Sequence, residues 1–252
     1  MVRSIVRRAL PVLSIAAFVT VWQFAAGFWT PEQFPAPSHV ARALWELAET
    51  GVLWTHILIS LARFTSAYFA AVAIAVPFGL FLSLNPLCRK AIDPLIQLLR
   101  PISPVAWFPL AVLWFGIGSA PAIFIIFLSA LYPIVLSTIS AVIGIPRVYF
   151  KVAANFGTRP RTVLLKVVIP AAFPGIMVGL HIAVGVAWIH LVAGEMLGAQ
   201  SGLGYMIVDA RNFLRTDWIM AGMLVIGLLG LCINRLMRRS ELWATRRLGG
   251  DT

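Results

Sequence analysis

The sequence predicts an all-α polytopic membrane protein, built as one membrane domain. Of its 252 residues, 60% are hydrophobic and only 12% are charged, and the mean hydropathy is +0.92. Soluble domains average about 25% charged residues, so a soluble fold could not hide this much apolar surface. Several apolar windows reach the ~20 residues that a helix needs to cross a ~30 Å hydrocarbon core. The ~10-residue alternating segments of a β-barrel are absent.

Hydropathy predicts about six transmembrane helices. They lie at residues 10–29, 57–84, 92–117, 120–144, 174–198 and 216–237. The first follows a charged start but lacks a small-x-small cleavage site, so we interpret it as a retained helix. The chain then divides into a first helix with an external amphipathic segment (1–56), a core (57–240) and a cytoplasmic tail (241–252).

The basic residues predict the orientation. A net charge of +11 could indicate nucleic acid in a soluble protein, but here the charges flank apolar spans, so no nucleic-acid partner is expected. In an alternating six-span arrangement three basic residues lie on one side, at Arg42, Arg211 and Arg215. The other side holds Arg3, Arg7, Arg8, Arg89, Lys90, Arg147, Lys151, Arg159, Arg161, Lys166, Arg235, Arg238, Arg239, Arg246 and Arg247. By the positive-inside rule, both termini are cytoplasmic.

The external segment 30–56 is rich in proline and then becomes amphipathic. Ser38 is predicted to be the N-cap of a short helix that contains Leu44, Trp45 and Leu47. We expect this helix to lie at the membrane surface, where tryptophan side chains are enriched.

The third span is interrupted by prolines and contains a charge. Proline removes a backbone donor and kinks a helix, so we expect an irregular backbone here, satisfied by neighbouring groups or cavity water. Arg100 either snorkels to the cytoplasmic edge as an anchor or lines a translocation path, because a charge inside hydrocarbon is costly. The prolines of this span are Pro94, Pro101, Pro104 and Pro109.

Residues that could support catalysis or bind a cofactor are sparse. The chain has no phosphate-binding G-x-x-x-x-G-K-[ST], no H-E-x-x-H and no G-x-S-x-G sequence, so no enzyme activity, metal or bound cofactor is expected. His181 and His190 are nine residues apart on one predicted helix and therefore face opposite sides. Cys88 and Cys232 indicate neither a disulfide framework nor a metal site. Glu195, near the end of its span, either reaches the external interface or takes part in gating or helix pairing.

The segment 145–174 is a long basic loop between two spans. It reads as two short helices, 147–156 and 160–169, separated at Gly157–Thr158. Pro160 suits the first turn of the second helix, and Pro170 and Pro174 are predicted to end it.

This loop is predicted to contact a partner. The small residues Ala153, Ala154 and Gly157 allow close approach, and the basic side chains could meet acidic partner groups or anionic lipid headgroups. A solvated amphipathic linker lying on the membrane is the alternative interpretation.

The loop resembles the signature loop of permease subunits of bacterial ABC importers. That pattern has Glu-Ala-Ala, three residues, Gly, nine residues and then Ile-x-Leu-Pro. Aligned on Gly157 and Pro170, this chain has Lys151 in place of the glutamate. PVAWFPLAVLWFGIG and GEMLGAQSGLGYMI are also similar to the nitrate, sulfonate, taurine and bicarbonate branch. Similarity extends over about residues 35–240. The loop residues implied to couple to the ATPase are Lys151, Val152, Ala153, Ala154, Gly157, Thr158, Arg159, Arg161, Val167, Ile169 and Pro170.

The resemblance implies a type I, MetI-like importer permease in the bacterial cytoplasmic (inner) membrane. Two copies of the chain would form the path, and two copies of a separate ATPase subunit would bind ATP and Mg. A periplasmic or lipid-anchored binding protein would deliver the solute, and lipids would surround the spans. The implied solute is a small anion such as a sulfonate, taurine, nitrate or bicarbonate. The implied path residues are Arg100, Ser103, Trp107, Trp188 and Glu195.

Other functions remain open from the sequence. A relative of this branch could carry another small solute, such as a thiamine precursor. A self-contained secondary transporter would show coupling residues at the membrane midplane and an inverted repeat, and neither is evident. A membrane enzyme would need clustered His, Asp or Glu at one interface, and a membrane anchor or sensor would not need the proline-rich third span.

Overall fold

The structure is a computed structural model that describes residues 2–248, with side chains described at 10 and 12–242. Across this range every regular element is helical, as the composition predicts. The helices are α1 (Val2–Ala26), α2 (Pro37–Glu49), α3 (Val52–Leu84), α4 (Pro86–Leu99), α5 (Phe108–Phe115), α6 (Ser119–Ile143), α7 (Arg147–Asn155), α8 (Pro160–Val163), α9 (Ile169–Gly198), α10 (Leu203–Asn212) and α11 (Thr216–Leu248). A 3₁₀ turn, Pro104–Trp107, precedes α5, and a π turn, Leu164–Val168, joins α8 to α9.

Four helices in the described part of the chain are long and apolar enough to span a membrane. They are α3, α6, the continuous helix from α8 to α9, and α11. The bent pair formed by α4 and the segment Pro104–Phe115 adds a fifth span if it crosses as one unit. The apolar part of α1, Val12–Ala26, is shorter than these. A multi-span helical protein is therefore confirmed, whereas the count of six and the cytoplasmic termini stay predictions.

The core forms where α3, α6 and α9 pack together. Its fully buried members include Ala71 and Ala75 from α3, Ile126 and Ile134 from α6, and Leu191 from α9. Small residues let α6 and α9 approach closely along much of their length. A Cβ on Gly175 or Gly179 would collide with side chains of α6, and one on Gly194 would press against the Ala122 backbone. The loop 144–159 thus joins two helices that are packed as one hairpin.

The segment predicted to be external contains the expected short helix, but the helix begins at a different residue from the one predicted. α2 begins at Pro37, its N-cap position is Ala36, and no side chain caps it. The prediction that Ser38 is the N-cap is wrong, because proline already occupies the first helical position, where no N–H needs a partner. Leu47 is buried in an apolar cluster with residues of α3, α10 and α11, whereas Trp45 is exposed.

The second half of the basic loop also differs from prediction. Pro170 and Pro174 do not end a helix, because the helix runs on from Pro160 to Gly198. In the π turn the Ile169 N–H bonds to the Leu164 carbonyl, five residues back. A turn of this width accommodates the absent donor and the ring of Pro170. Only residues 144–159 therefore lie outside the two spans.

Candidate functional site

The third span breaks at Arg100, and a cavity of about 350 Å³ lies beside the break. The helix axis turns by 87° between α4 and the segment Pro104–Phe115. The break follows from its prolines, since Pro101 and Pro104 cannot donate backbone hydrogen bonds. An irregular backbone at membrane depth is tolerated where it lines a cavity.

The cavity lies near the middle of the membrane-spanning helices. It is bounded by α6 and α9, with Tyr132 next to the midpoint of α6 and Ile182 next to the midpoint of α9. Arg100 is exposed to this space together with Ser137. Arg100 thus lines a cavity, and both of its predicted roles, path residue and edge anchor, stay predictions.

The other predicted path residues do not gather at the cavity. Ser103 is exposed at the break but does not line the cavity, and Trp107 is half-buried at the end of the 3₁₀ turn. Trp188 is packed in the core and donates its Nε1–H to the Ile226 carbonyl at 3.2 Å. Glu195 is fully buried. Of the five, the structure brings only Arg100 to the cavity.

Glu195 belongs to a buried ion pair at one end of α9. Arg63, 5% exposed, donates from Nη1 to its Oε1 at 2.9 Å. Ser60 Oγ lies 2.8 Å from both carboxylate oxygens. The same guanidinium donates to Ser119 Oγ at the start of α6 and to both Oγ and the carbonyl of Ser201. These additional hydrogen bonds occupy donors and lone pairs of the buried pair and offset part of the desolvation of both charges.

The network also fixes the turn between α9 and α10. The Gly204 N–H donates to Glu195 Oε2 at 2.9 Å, and the Leu203 N–H donates to Ser60 Oγ at 2.8 Å. Gly202 adopts φ +102°, and a Cβ there would collide with the Glu195 carboxylate. The interface alternative for Glu195 is therefore wrong, and the helix-pairing alternative describes its position.

Sequence reasoning missed Arg63 and Ser60. A usable signal was present, because Arg63 and Glu195 are opposite charges, each placed inside an otherwise apolar span. Intramembrane charges face protein or water and pair with one another. The two histidines of the fifth predicted span, His181 and His190, make separate contacts. His181 contacts Glu241 and Asn234 of α11, and His190 Nδ1 lies 2.8 Å from the Val186 carbonyl.

At the other end of the α6–α9 hairpin, α7 ends in a Schellman motif built on Gly157. The Thr158 N–H donates to the Ala153 carbonyl and the Gly157 N–H to the Ala154 carbonyl. Gly157 has φ +60°, which side-chain-bearing residues rarely adopt. No heavy atom lies within 4 Å of a Cβ placed there. Backbone conformation, rather than crowding within the chain, thus requires this glycine.

The loop presents an apolar groove of about 490 Å³ between α7 and the start of the long helix. Val152, Ala153, Thr158 and Val167 of the predicted set line it. Phe156, 83% exposed, is an additional wall residue that the motif did not indicate. The other additional residues are Val148, Tyr149, Thr162 and Lys166.

The remaining predicted loop residues do not line the groove: some lie exposed around it, and others lie within the continuous helix. The basic side chains Lys151, Arg159 and Arg161 are exposed, as is Ala154. Ile169 and Pro170 are half-buried inside the continuous helix and do not line the groove. The loop therefore combines an apolar groove with an exposed basic surround.

The comparisons with known proteins agree with this architecture. Residues 75–249 match the family described as binding-protein-dependent transport system inner membrane component. The taurine transport system permease protein TauC of Escherichia coli is 37% identical over 245 residues, which cover 93% of this chain and 89% of the relative. The nitrate import permease protein NrtB of Synechococcus elongatus is 33% identical over 239 residues, covering 90% and 86%.

Solved structures confirm the MetI-like fold. The chain resembles a chain of the MetNI methionine ABC transporter in inward-facing conformations, with a TM-score of 0.68. The match covers 77% of this chain and 97% of that one at 20% identity, so it supports the fold alone. The predicted resemblance is confirmed by the family match and the sequence relatives. This multi-pass inner-membrane protein belongs to the family of inner membrane components of binding-protein-dependent transport systems.

Proposed function

We propose that this chain is the transmembrane permease subunit of an ATP-driven importer, and that two copies form the path for a small anion. The observation that carries the proposal is Arg100, a cation at mid-span beside a cavity in a broken helix. Intramembrane cations mark substrate or ion pathways. Two of the relatives are named for taurine and for nitrate. Sulfonates and bicarbonate likewise carry their negative charge on oxygen atoms.

The loop 144–159 is the proposed docking element for a separate ATPase subunit, with one ATPase per permease copy. Its groove and exposed Phe156 supply apolar contacts, and its basic surround suits acidic partner groups. Lys151 is one of those surrounding charges. ATP and Mg are bound by the ATPase, not by this chain. A periplasmic or lipid-anchored binding protein delivers the solute at the opposite side.

Docking can act over a distance because the loop joins two closely packed helices. A displacement of the loop moves the α6–α9 hairpin, whose far end carries Ser119 and Glu195. Nucleotide binding then biases a two-state equilibrium between inward- and outward-facing arrangements.

The test is co-purification of the tagged chain with the ATPase, using two matched glycine variants. Gly157→Arg is expected to abolish ATPase association, because it adds bulk at the docking surface. Gly51→Arg is the control, since Gly51 has φ +78° and equally open space but lies before α3, far from the loop. Gly157→Asn, whose side chain tolerates the left-handed conformation, is expected to retain association.

Two outcomes would oppose the docking proposal. One is normal ATPase association and ATP-dependent uptake by Gly157→Arg. The other is an equal loss of association in Gly51→Arg, which would trace the effect to backbone strain and folding. Transport by the purified chain without any ATPase would contradict the importer assignment itself.

A further inference from the structure

Side chains from α3 and α9 hold the first turn of α10. The backbone N–H groups of residues 202–204 donate, in chain order, to His56 Nδ1 at 3.0 Å, Ser60 Oγ at 2.8 Å and Glu195 Oε2 at 2.9 Å. The first N–H groups of a helix have no partner inside that helix. The N-cap residue of α10 is a glycine, which has no side chain to serve as a cap. The other helices therefore supply the caps that α10 lacks.

The hydrogen bond to His56 fixes the protonation state of its imidazole. A backbone N–H can only donate, so Nδ1 must accept, and the ring carries its single proton on Nε2. An imidazolium has a proton on both nitrogens and therefore no acceptor. The contact between His56 and Gly202 thus exists only while His56 is neutral.

Of the three acceptors, His56 is the one whose ordinary pKa lies near neutral pH. An unperturbed imidazole titrates at about pH 6.5. The hydroxyl of Ser60 does not titrate in this range, and the carboxylate of Glu195 is held in an ion pair by Arg63. His56 is only half-buried, so its ring is partly accessible to water. A change in pH can therefore remove one of the three caps.

The charged groups near His56 have opposing effects. Arg63, two turns further along α3, repels a positive charge on the ring, whereas Asp209 of α10 attracts one. The start of α10 also repels it, because it is the positive end of the helix dipole. Tyr205, whose ring centroid lies 6.1 Å from that of His56, and the paired Glu195 are further titratable neighbours. Protonation thus removes a hydrogen bond and places a cation at the positive end of a helix.

We infer that His56 is a proton-sensitive latch on the turn between α9 and α10. While neutral, it holds Gly202 and the start of α10 against α3, and protonation releases them. The preceding residue, Ser201, is bonded to Arg63, so release loosens the turn beside the Arg63–Glu195 pair. The turn lies at the end of α9 opposite the loop 144–159, on the side predicted to be external. This regulation by pH goes beyond the proposed function and does not depend on the solute.

Hydrogen–deuterium exchange of the full chain in lipid nanodiscs measures the latch directly. The exchange rate of a peptide that covers residues 200–206 is followed between pH 8 and pH 5 and divided by the intrinsic rate at each pH. Protection is expected to fall by about threefold to tenfold as the pH decreases, which corresponds to the loss of one hydrogen bond. A peptide from the buried centre of α6 should keep its protection.

Three variants separate the imidazole from other titrating groups. His56→Asn places an amide oxygen near the position of Nδ1, so it should keep its protection at pH 8 and at pH 5 alike. His56→Leu removes the acceptor and should show low protection at both pH values. His190→Asn is the matched control, because His190 contacts a carbonyl of its own helix rather than the α10 turn, and it should retain the pH response of the parent. Elution as a single species checks that each variant is folded.

Protection that does not change with pH in the parent would overturn the inference. An equal loss in acid for His56→Asn would also overturn it, since another group, such as the Glu195 carboxylate, would then take up the proton. A parallel loss in the α6 peptide would indicate general unfolding and would likewise oppose a latch. If His56→Leu does not fold, the parent and His56→Asn still decide the result. These measurements do not use the ATPase, so failure of the importer assignment would be detected separately, by co-purification.

Discussion

Arg63 in α3 and Arg100 at the break after α4 have opposite surroundings. Arg63 is buried and donates hydrogen bonds to Glu195, Ser119 and Ser201. Arg100 is exposed to a cavity and has no such partner within the described chain. A fully satisfied buried charge fixes one arrangement of helices, whereas an unsatisfied one leaves its hydrogen-bonding capacity to a ligand. The first arginine is therefore assigned to structure, and the second is the proposed contact for the solute.

The largest expected effect is obtained by removing the partner of Arg63. Glu195→Ala leaves a buried guanidinium without its counter-charge, and loss of one member of a buried pair costs about 3–5 kcal/mol of unfolding free energy. Denaturant unfolding of the purified chain in detergent measures this loss. Glu49→Ala, which removes an exposed carboxylate at the end of α2, is the control and should stay within about 0.5 kcal/mol of the parent. Parent-like stability of Glu195→Ala would contradict the structural assignment.

A second experiment compares the two arginines by the same conservative change. Arg63→Lys keeps the charge but replaces a planar fork that contacts three residues with a single ammonium group, so a loss of about 1–3 kcal/mol is expected. Arg100→Lys breaks no side-chain hydrogen bond within the described chain, so it should change the unfolding free energy by less than about 0.5 kcal/mol. The readout is the same unfolding transition. Equal losses for both variants would remove the distinction between them.

Much of the fold around these two arginines could be predicted from the sequence. Hydropathy located the four long spans, and the proline-rich third span indicated the break at Arg100. The loop motif located α7 and its end at Gly157. These signals are local, because they depend on apolar length, proline chemistry and backbone conformation near each residue.

The rest depends on contacts between distant parts of the chain. Ser60, Arg63 and Glu195 meet only because α3 and α9 pack together, 132 residues separating the ion pair. Pro170 was predicted to end a helix because proline lacks a donor, and the π turn before it could not be seen in the sequence. Tyr132 and Ser137 read as ordinary residues of an apolar span until the cavity placed them beside Arg100.

The smaller loss expected from breaking an ion pair concerns a third arginine, whose ion pair is as short as that of Arg63 but exposed. Arg215 Nη2 lies 2.8 Å from Glu46 Oε2, also contacts Asp217, and stacks over Trp218. The hydrogen bond from Arg215 holds the pKa of the Glu46 carboxyl below its ordinary value. Glu46→Gln should nevertheless cost only about 0.2–1 kcal/mol, because both side chains are well exposed and water screens the pair.

This small contribution should depend on pH in a defined direction. The folded-state pKa of Glu46 is lowered, so its contribution is present above the unfolded-state pKa of about 4.3 and is lost as the pH falls through the folded-state value. The difference in unfolding free energy between parent and Glu46→Gln should therefore shrink between about pH 6 and pH 3. It should also shrink in high salt, since screening acts on exposed pairs. A loss as large as that of Glu195→Ala would show that distance, rather than burial, sets the strength of these pairs.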